Sequence, residues 1–264
     1  MMRVALLTNL TARASLPVLE RLALSPQIEL RHVFFFNTLA ASRAAPLQVL
    51  REFGLTTLVS KMAQVMRSQL RVRLGRRMKA GWIKPSSSYE YAVFHHLPHT
   101  VTSSMNSDQS YEQLLRANVE VVVTCVCKNI LRAKLLSMPG QHFVNIHPSL
   151  LPYYRGPAPT FWMLYNGEQQ TGYTIHRMTT QVDRGAILAQ APLPLDWQRT
   201  ELEIELEVFA AAADALVVNL LTLKEAAPDS SPSSDQMEGS YHTYPTPQQR
   251  QELARRLAAV SVGK

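Results

Sequence analysis

The chain contains little cysteine, and its two cysteines are poorly placed to form a disulfide. Cys125 and Cys127 are the only cysteines among 264 residues, and a disulfide across one intervening residue would be badly strained. Both lie in an apolar stretch, whereas a reactive thiol needs an electropositive and accessible setting. We therefore expect two packing residues in a cytoplasmic protein, where thiols stay reduced.

The turn after the first predicted strand contains no glycine. Arg3 to Leu7 form an apolar strand, and Ala14 to Ala23 carry leucines at helical spacing. The connection between them, Thr8 to Ser15, therefore lacks the glycine-rich phosphate loop of a dinucleotide site. This absence disfavours a nicotinamide cofactor.

Long apolar runs are also missing, and no stretch approaches the length of a membrane span. The short run Met1 to Leu7 is typical of a first buried strand rather than of a signal peptide.

Twenty-seven Lys and Arg against twenty Asp and Glu give a net charge of +7. This charge suits an anionic ligand, nucleic acid or an acidic carrier, although solubility alone would also explain it.

Strands and helices alternate along the chain, which is typical of an α/β fold. The longest predicted helix is Thr200 to Leu223, which begins with a capping box formed by Thr200 and Glu203. We expect a Rossmann-like, mostly parallel sheet with helices on both faces and a short C-terminal extension. Its predicted strands after the first are Glu29 to Phe36, Tyr91 to Leu97, Val119 to Cys127, His142 to Ile146, Gly172 to Met178 and Ala186 to Leu195.

Between Leu47 and Lys79 the apolar residues fall at helical intervals beside several arginines. The apolar stripe consists of Leu58, Met62, Met66, Leu70 and Leu74. We expect a surface helix that packs this stripe on the core. Binding to a membrane surface, nucleic acid or an acidic partner stays open as an alternative.

The composition also predicts how the chain is divided. Residues 1–226 are expected to form a catalytic domain, with a basic helical insertion near 47–88. Residues 227–264 are expected to form a C-terminal extension, because a run rich in Pro and Ser precedes its last basic helix.

Three polar residues could perform chemistry together. Asn145 and His147 are two residues apart at the end of a predicted strand, so both side chains leave the same face. Pro148 and Pro152 restrict the loop that follows, and Asp183 lies further along the chain. An amide can hold an oxygen, an imidazole can exchange protons, and a carboxylate can orient and charge that imidazole. The combination fits acyl transfer to an amine without a covalent enzyme intermediate.

Each of these residues also has an ordinary structural explanation, as a turn residue or a buried histidine. A serine hydrolase is disfavoured because no Gly-x-Ser-x-Gly elbow surrounds Ser149. A zinc site is disfavoured because His95, His96 and His99 lack cysteine or carboxylate partners at zinc-site spacing. No metal is therefore predicted.

Several motifs in order resemble the folate-dependent formyltransferase family. They span about Val119 to Gln190 and run through Asn145, His147, Ser149, Pro152, Tyr154, Arg155, Gly156, Thr174, His176, Asp183 and Gly185. The resemblance implies a domain that binds N10-formyltetrahydrofolate and transfers its formyl group to an amine. It also implies that Asn145, His147 and Asp183 are the catalytic triad.

The resemblance further implies where the ligands bind. The pterin is expected near Val126, Cys127, Asn129, Ile130 and Leu131, and near Thr179, Thr180, Gln181 and Val182. For the acceptor, the predicted contacts are Asn9, Ser149, Tyr154, Arg155 and Gly156.

The acceptor is expected to be a small-molecule or carrier-bound amine, such as an aminosugar nucleotide or an amino acid derivative. Three alternatives stay open: a formyltetrahydrofolate hydrolase, an enzyme like methionyl-tRNA formyltransferase, and a non-catalytic basic module that binds RNA or a carrier. Nucleic acid is the less favoured partner, and a homodimer is left open.

Overall fold

The computed structural model describes residues 1–37, 59–60, 62–74, 84–223 and 238–262. The strands are β1 (Met2–Asn9), β2 (Ile28–Phe36), β3 (His99–Thr102), β4 (Val121–Cys125), β5 (His142–His147), β6 (Gln170–Arg177) and β7 (Ile187–Pro194). The helices are α1 (Leu16–Leu24), α2 (62–74), α3 (Ser88–Phe94), α4 (Asp108–Ala117), α5 (Ala133–Leu136), α6 (Pro159–Asn166), α7 (Glu201–Thr222) and α8 (Pro247–Val262).

The strands form one seven-stranded sheet in the order β3-β2-β1-β4-β5-β6-β7. Strands β1 to β5 are parallel, whereas β6 is antiparallel to both β5 and β7. Central β4 is buried along its whole length, as expected for a strand covered on both faces. The predicted Rossmann-like, mostly parallel sheet is confirmed.

Two apolar clusters cover the two faces of the sheet. One cluster includes Leu19 of α1, Phe161 of α6, Leu216 of α7 and Leu253 of α8. The other contains side chains from α4 and α5. Because Leu253 belongs to the first cluster, the C-terminal helix packs on the same core as the sheet. The predicted division of the chain at residue 226 stays a prediction.

The predicted strand at Tyr91 to Leu97 is wrong, because this segment mostly belongs to helix α3. The side chain of Ser87 caps α3 by accepting a hydrogen bond from the Glu90 backbone N–H at 3.3 Å. A serine followed three residues later by glutamate is a signal for the start of a helix. The edge strand, β3, begins only at His99.

The apolar stripe of α2 does not pack on the core as expected. Met62, Met66, Leu70 and Leu74 are all exposed. The face that packs inward instead carries Val72, which is buried, and Arg71, whose Nε lies 3.1 Å from the buried Glu90 carboxylate. Leu58 and much of the predicted insertion, like the Pro- and Ser-rich run, lie outside the described residues.

The antiparallel pairing of β5 with β6 positions the polar residues of the site. Asn145 pairs with His176, and His147 pairs with Thr174. Directly opposed residues on adjacent strands project from the same face, so this register places a second histidine beside the predicted triad. In the described ranges, no helix has the length and hydrophobicity that crossing a membrane requires.

Candidate active site

The amide of Asn145 has a fixed orientation. The Thr124 hydroxyl of neighbouring β4 donates to its Oδ1 at 2.6 Å, and its Nδ2 lies 3.1 Å from Nε2 of His176. A carbonyl oxygen accepts and an amide nitrogen donates, so the two neighbours hold the amide in one rotamer. One of the two N–H bonds of Nδ2 is used by His176, and the other can donate to a reacting oxygen.

His176 serves as a neutral acceptor for this amide. Its Nδ1 donates to the Arg177 carbonyl at 2.9 Å, which leaves the lone pair on Nε2. Burial lowers the pKa of His176 to about 4, although the nearby Asp183 carboxylate acts in the opposite direction. The ring therefore stays unprotonated near neutral pH and keeps accepting from Asn145.

His147 offers one ring nitrogen to chemistry. Its Nε2 lies 2.8 Å from the Tyr154 carbonyl oxygen, which can only accept, so Nε2 carries the proton. In the neutral ring, Nδ1 then has the lone pair, and it lies 3.7 Å from Oδ2 of Asp183. A proton taken up at Nδ1 would produce an imidazolium that faces a carboxylate. The structure thus brings the three predicted catalytic residues together.

The orientation of His147 differs from the sequence-based expectation. Asp183 was expected to fix the imidazole, but the hydrogen bond that orients the ring comes from the Tyr154 carbonyl. At 3.7 Å the carboxylate lies beyond hydrogen-bond distance and acts as a neighbouring charge. This contribution from Tyr154 could not be read from its side chain, because a backbone atom provides it.

A turn with left-handed backbone presents Asp183. Its φ is +53°, and its Oδ2 accepts a hydrogen bond from the Gly156 N–H at 2.8 Å. Two residues later, a Cβ on Gly185 would overlap the Arg177 carbonyl oxygen. Glycine is therefore required for the turn to pass close to β6.

The C-terminal residues reinforce the loop that holds His147 and Asp183. The Arg155 N–H donates to the Ser240 carbonyl at 3.0 Å, and the His242 N–H donates to the Arg155 carbonyl at 2.9 Å. The Tyr154 N–H also donates to Ser240 Oγ at 2.8 Å. This short pairing connects the C-terminal segment directly to the site, a connection that the sequence does not reveal.

The triad opens into a cavity of about 870 Å³. We call Asn145, His147 and Asp183 the catalytic side of this cavity. We call the residues contributed by α7 and the C-terminal segment the α7 side; they are Glu201, Leu202, Glu205, Phe209, Tyr241, Thr243, Tyr244, Pro247 and Arg250. Further lining residues come from the end of β1 and from the segment after β4.

The predicted pterin contacts only partly face this cavity. Val126, Cys127, Ile130 and Val182 line it. The others lie elsewhere: Leu131 is buried in the core, Asn129 accepts a hydrogen bond from the Met105 N–H, and Thr179, Thr180 and Gln181 are exposed in the loop before Asp183. Their roles in binding a pterin stay predictions.

Two of the predicted acceptor contacts, Asn9 and Gly156, line the cavity. Asn9 also accepts the Lys128 N–H through Oδ1 at 3.1 Å, which fixes the segment after β4. The other three side chains brace the loop instead of lining the cavity. Ser149 donates to the Tyr153 carbonyl, the Tyr154 hydroxyl donates to Glu168, and Arg155 Nε donates to the Ser240 carbonyl.

The cysteines have the packing role that was expected of them. Cys125 is fully buried in the core, and burial raises the pKa of its thiol. Burial also raises the pKa of Cys127 to about 11, although that residue lines the cavity. Neither thiol is ionised near neutral pH, so neither is a nucleophile there.

Sequence reasoning missed Thr124 and His176 as supports of Asn145, and Glu205 as a cavity residue. Thr124 is the one hydroxyl residue in an otherwise apolar buried strand, which was an available signal. His176 shares its strand face with Thr174, but only the register with β5 places it beside Asn145. Glu205 lies in α7, which follows Asp183 and strand β7 in the chain, and it carried no sequence signal.

The fold and the site together define an α/β protein with an amide, a proton-accepting imidazole and a carboxylate at one cavity. Comparison with known families then identifies the family. The formyl transferase family matches residues 77–220, which is more than half of the chain. The chain belongs to the formyl transferase family, and the predicted family membership is confirmed.

Curated relatives show the same similarity. The chain is 32% identical over 151 residues to a methionyl-tRNA formyltransferase of Trichormus variabilis, with 57% of this chain and 45% of that protein covered. It is 33% identical over 142 residues to the methionyl-tRNA formyltransferase of Thermotoga maritima, covering 54% and 45%. The chain thus spans less than half the length of these relatives.

Solved structures resemble this fold. A phosphoribosylglycinamide formyltransferase from Anaplasma phagocytophilum superimposes with a TM-score of 0.59 at 17% identity, covering 91% of this chain and 98% of that one. A sugar N-formyltransferase from a Shewanella species gives 0.56 at 19% identity, covering 97% and 87%. At these identities the likeness concerns the fold alone.

Proposed function

We propose that this protein transfers a formyl group from N10-formyltetrahydrofolate to an amine of a small-molecule or carrier-bound acceptor. The proposal rests mainly on which ring nitrogen of His147 is hydrogen-bonded and which is available for proton transfer. Its Nε2 is occupied by the Tyr154 carbonyl, while Nδ1 lies open beside Asp183, in the same cavity as Asn145. One proton acceptor, one compensating charge and one oxygen-binding amide are what direct formyl transfer requires.

The cavity suits a folate donor. Its volume lies within the range typical of small-molecule sites, and Val126, Ile130 and Val182 give one part of it an apolar wall. N10-formyltetrahydrofolate would supply an activated one-carbon unit when bound. The residues of this chain would then provide orientation, proton transfer and charge stabilisation.

His147 is the proposed proton carrier. As the acceptor nitrogen forms its bond to the formyl carbon, it must lose a proton, and Nδ1 of His147 can take that proton. The resulting imidazolium faces the Asp183 carboxylate, which stabilises it. When the original carbon–nitrogen bond breaks, the same proton is available to the leaving nitrogen, so protons balance over the reaction.

Asn145 is the proposed donor to the formyl oxygen. Negative charge develops on that oxygen during attack, and a preorganised N–H stabilises it without further rearrangement. Thr124 and His176 have already fixed the amide, so Nδ2 needs no reorientation in the reaction.

For the acceptor, we favour a small or carrier-bound amine over tRNA. The triad opens into a cavity of about 870 Å³, a volume within the range typical of sites for small molecules. The connection after β1 contains no glycine, which disfavours a phosphate-binding loop in that turn.

A mass-spectrometric assay tests the proposal. Purified protein, N10-formyltetrahydrofolate and a set of amines should give a product heavier by one CO unit, and this product should disappear in His147→Gln. The set would include aminosugar nucleotides, amino acid derivatives and methionyl-tRNA. Rapid release of formate without any amine would instead identify a hydrolase and refute the proposal.

A further inference from the structure

Glu205 stands apart from the other glutamates in the first half of α7. Glu203 completes the capping box with Thr200, Glu207 pairs with Arg199 at the surface, and Glu201 lies 3.4 Å from Arg250. The Glu205 carboxylate forms no hydrogen bond and no ion pair with another described residue. Glu205 is nevertheless half-buried and lines the cavity that contains the triad.

The surroundings of Glu205 make its negative charge unfavourable in the free protein. Burial, and after it the neighbouring Glu201 carboxylate, raise the pKa of the Glu205 carboxyl to about 7, against the opposing effect of Lys128. The other charged or titratable residues that line the same cavity are Arg13, Cys127, His147, Asp183, Tyr241, Tyr244 and Arg250. A cationic ligand placed against Glu205 would compensate this charge.

An amine acceptor has such a cation. Primary amines with an ordinary pKa near about 10.4 are ammonium ions in neutral water. His147 can remove a proton from the acceptor, but in its neutral form it provides no negative charge to attract an ammonium ion. Glu205, which lines the same cavity, provides that charge.

We propose that Glu205 is a specificity-determining residue that binds an ammonium group of the acceptor. This inference rests on the proposed function, because it assigns the acceptor to the α7 side of the cavity. The group bound is either the amine that is formylated or a second ammonium on the same molecule. It is a binding role. A reacting ammonium releases one proton to solvent before it attacks, and the second proton is transferred through His147 to the leaving nitrogen, as proposed above.

Binding calorimetry without any formyl donor tests the inference. The probes are three molecules of equal length: 1-butanol, butylamine and 1,3-diaminopropane. The proteins are the wild type, Glu205→Gln and, as a matched control on the same helix, Glu207→Gln. The substitution at Glu205 keeps the shape of the side chain and removes its charge, while Glu207 is exposed and pairs with Arg199.

We expect the wild type to bind at least one of the two amines about tenfold more tightly than 1-butanol, and Glu205→Gln to lose this preference. Glu207→Gln should retain it. Loss of this preference for either amine in Glu205→Gln, together with its retention in Glu207→Gln, supports the ammonium site. Equal binding of the amines by wild type and Glu205→Gln, or no binding of either amine to the wild type, would overturn the inference.

Proton release provides a second readout. An ammonium bound beside Glu205 lowers the pKa of its carboxyl, so the protonated fraction releases protons near pH 7. The apparent binding enthalpy of the wild type should then vary with the ionisation enthalpy of the buffer, and that of Glu205→Gln should vary less. An identical buffer dependence in both proteins would contradict the inference.

These measurements also separate the two proposals. Amine binding that depends on Glu205 but leads to no formylated product would support the ammonium site and refute formyl transfer. If Glu205→Gln instead formylates the acceptor with the same KM and the same preference among amines as the wild type, the ammonium site is refuted. The proposal of formyl transfer would then still stand.

Discussion

The two sides of the active-site cavity differ in how their polar groups are satisfied. On the catalytic side, Asn145 is held by Thr124 and His176, and His147 is held by the Tyr154 carbonyl. On the α7 side, Glu205 faces the cavity without such a partner among the described residues. Fixed hydrogen bonds hold catalytic side chains in the orientation that the reaction needs. A carboxylate without a hydrogen-bond partner in the protein can instead bind a ligand of opposite charge.

His147 and His176 show the same difference within the catalytic side. Each ring has a nitrogen 3.7 Å from an Asp183 oxygen. Among the described residues, His176 uses both nitrogens in hydrogen bonds to protein groups, whereas His147 uses only Nε2. Proximity to a carboxylate therefore does not by itself identify the proton carrier. The ring nitrogen that is available for a proton, Nδ1 of His147, identifies it.

Substitution of His147 should have the largest effect. In His147→Gln the side-chain amide can still donate to the Tyr154 carbonyl, but no group remains to take up a proton. We expect kcat for formyl transfer to fall about 10²- to 10⁴-fold. Steady-state kinetics with the accepted amine measure this, and exposed His95→Gln is the control. Turnover near the wild-type value in His147→Gln would assign proton transfer to another group.

Removal of the Asn145 amide should have the next largest effect. Asn145→Ala deletes the donor to the developing oxyanion, and we expect kcat to fall about 10²- to 10³-fold. Thr124→Ser keeps the supporting hydroxyl and should change kcat far less. Both variants are assayed below their unfolding temperatures, because Asn145→Ala also leaves two buried partners unpaired. Similar kcat values for the two variants would contradict the oxyanion role.

Gly156 tests whether the C-terminal segment stabilises the catalytic loop. Its φ is +90°, and an added Cβ would overlap the His242 carbonyl oxygen and lie 2.9 Å from the Tyr241 ring. We expect Gly156→Ala to lower the free energy of unfolding by about 2–4 kcal/mol, from backbone strain and overlap together. Urea denaturation measures this change.

Gly140 is the matched control for Gly156. Its φ is also positive, at +72°, but a Cβ there meets no atom within 4 Å. Gly140→Ala should therefore show backbone strain only, about 1 kcal/mol. Equal destabilisation by the two variants would mean that contact with the C-terminal segment contributes nothing measurable.

The effect that depends most on conditions concerns His176, since it appears only as the pH is lowered. Its pKa in the folded protein is about 4, below the ordinary value of 6.5. As pH falls below 6.5 the unfolded chain gains a proton that the folded chain does not, so stability decreases down to about pH 4. The change attributable to His176 should approach about 3 kcal/mol.

The measurement is the free energy of unfolding of the wild type and of His176→Gln across that pH window. Other groups, including Glu205, titrate there, so only the difference between the two curves reports on His176. This difference should shrink as pH falls. A constant difference between pH 6.5 and 4 would show that His176 is not buried in its neutral form.

Much of the architecture could be predicted from local sequence. Continuous apolar runs identified β1 and β4, and the Thr200 capping box identified the start of α7. The errors occurred where short-range patterns were ambiguous. Tyr91 to Leu97 contains apolar and aromatic residues that suit a strand, but the Ser87 cap makes most of it a helix. The helical spacing in α2 was correct, yet spacing cannot determine which face of a helix packs inward.

The chemically active residues Asn145, His147 and Asp183 were identified from sequence because residue type and short-range order are properties of the chain itself. The support around them depends on tertiary structure. Thr124 and His176 reach Asn145 only through strand register, and a backbone carbonyl orients His147. Glu205 faces the same cavity only because α7 and the C-terminal segment pack beside the sheet. Hydrogen bonds and electrostatic fields depend on distance and direction, which residues far apart in sequence acquire only when the chain folds.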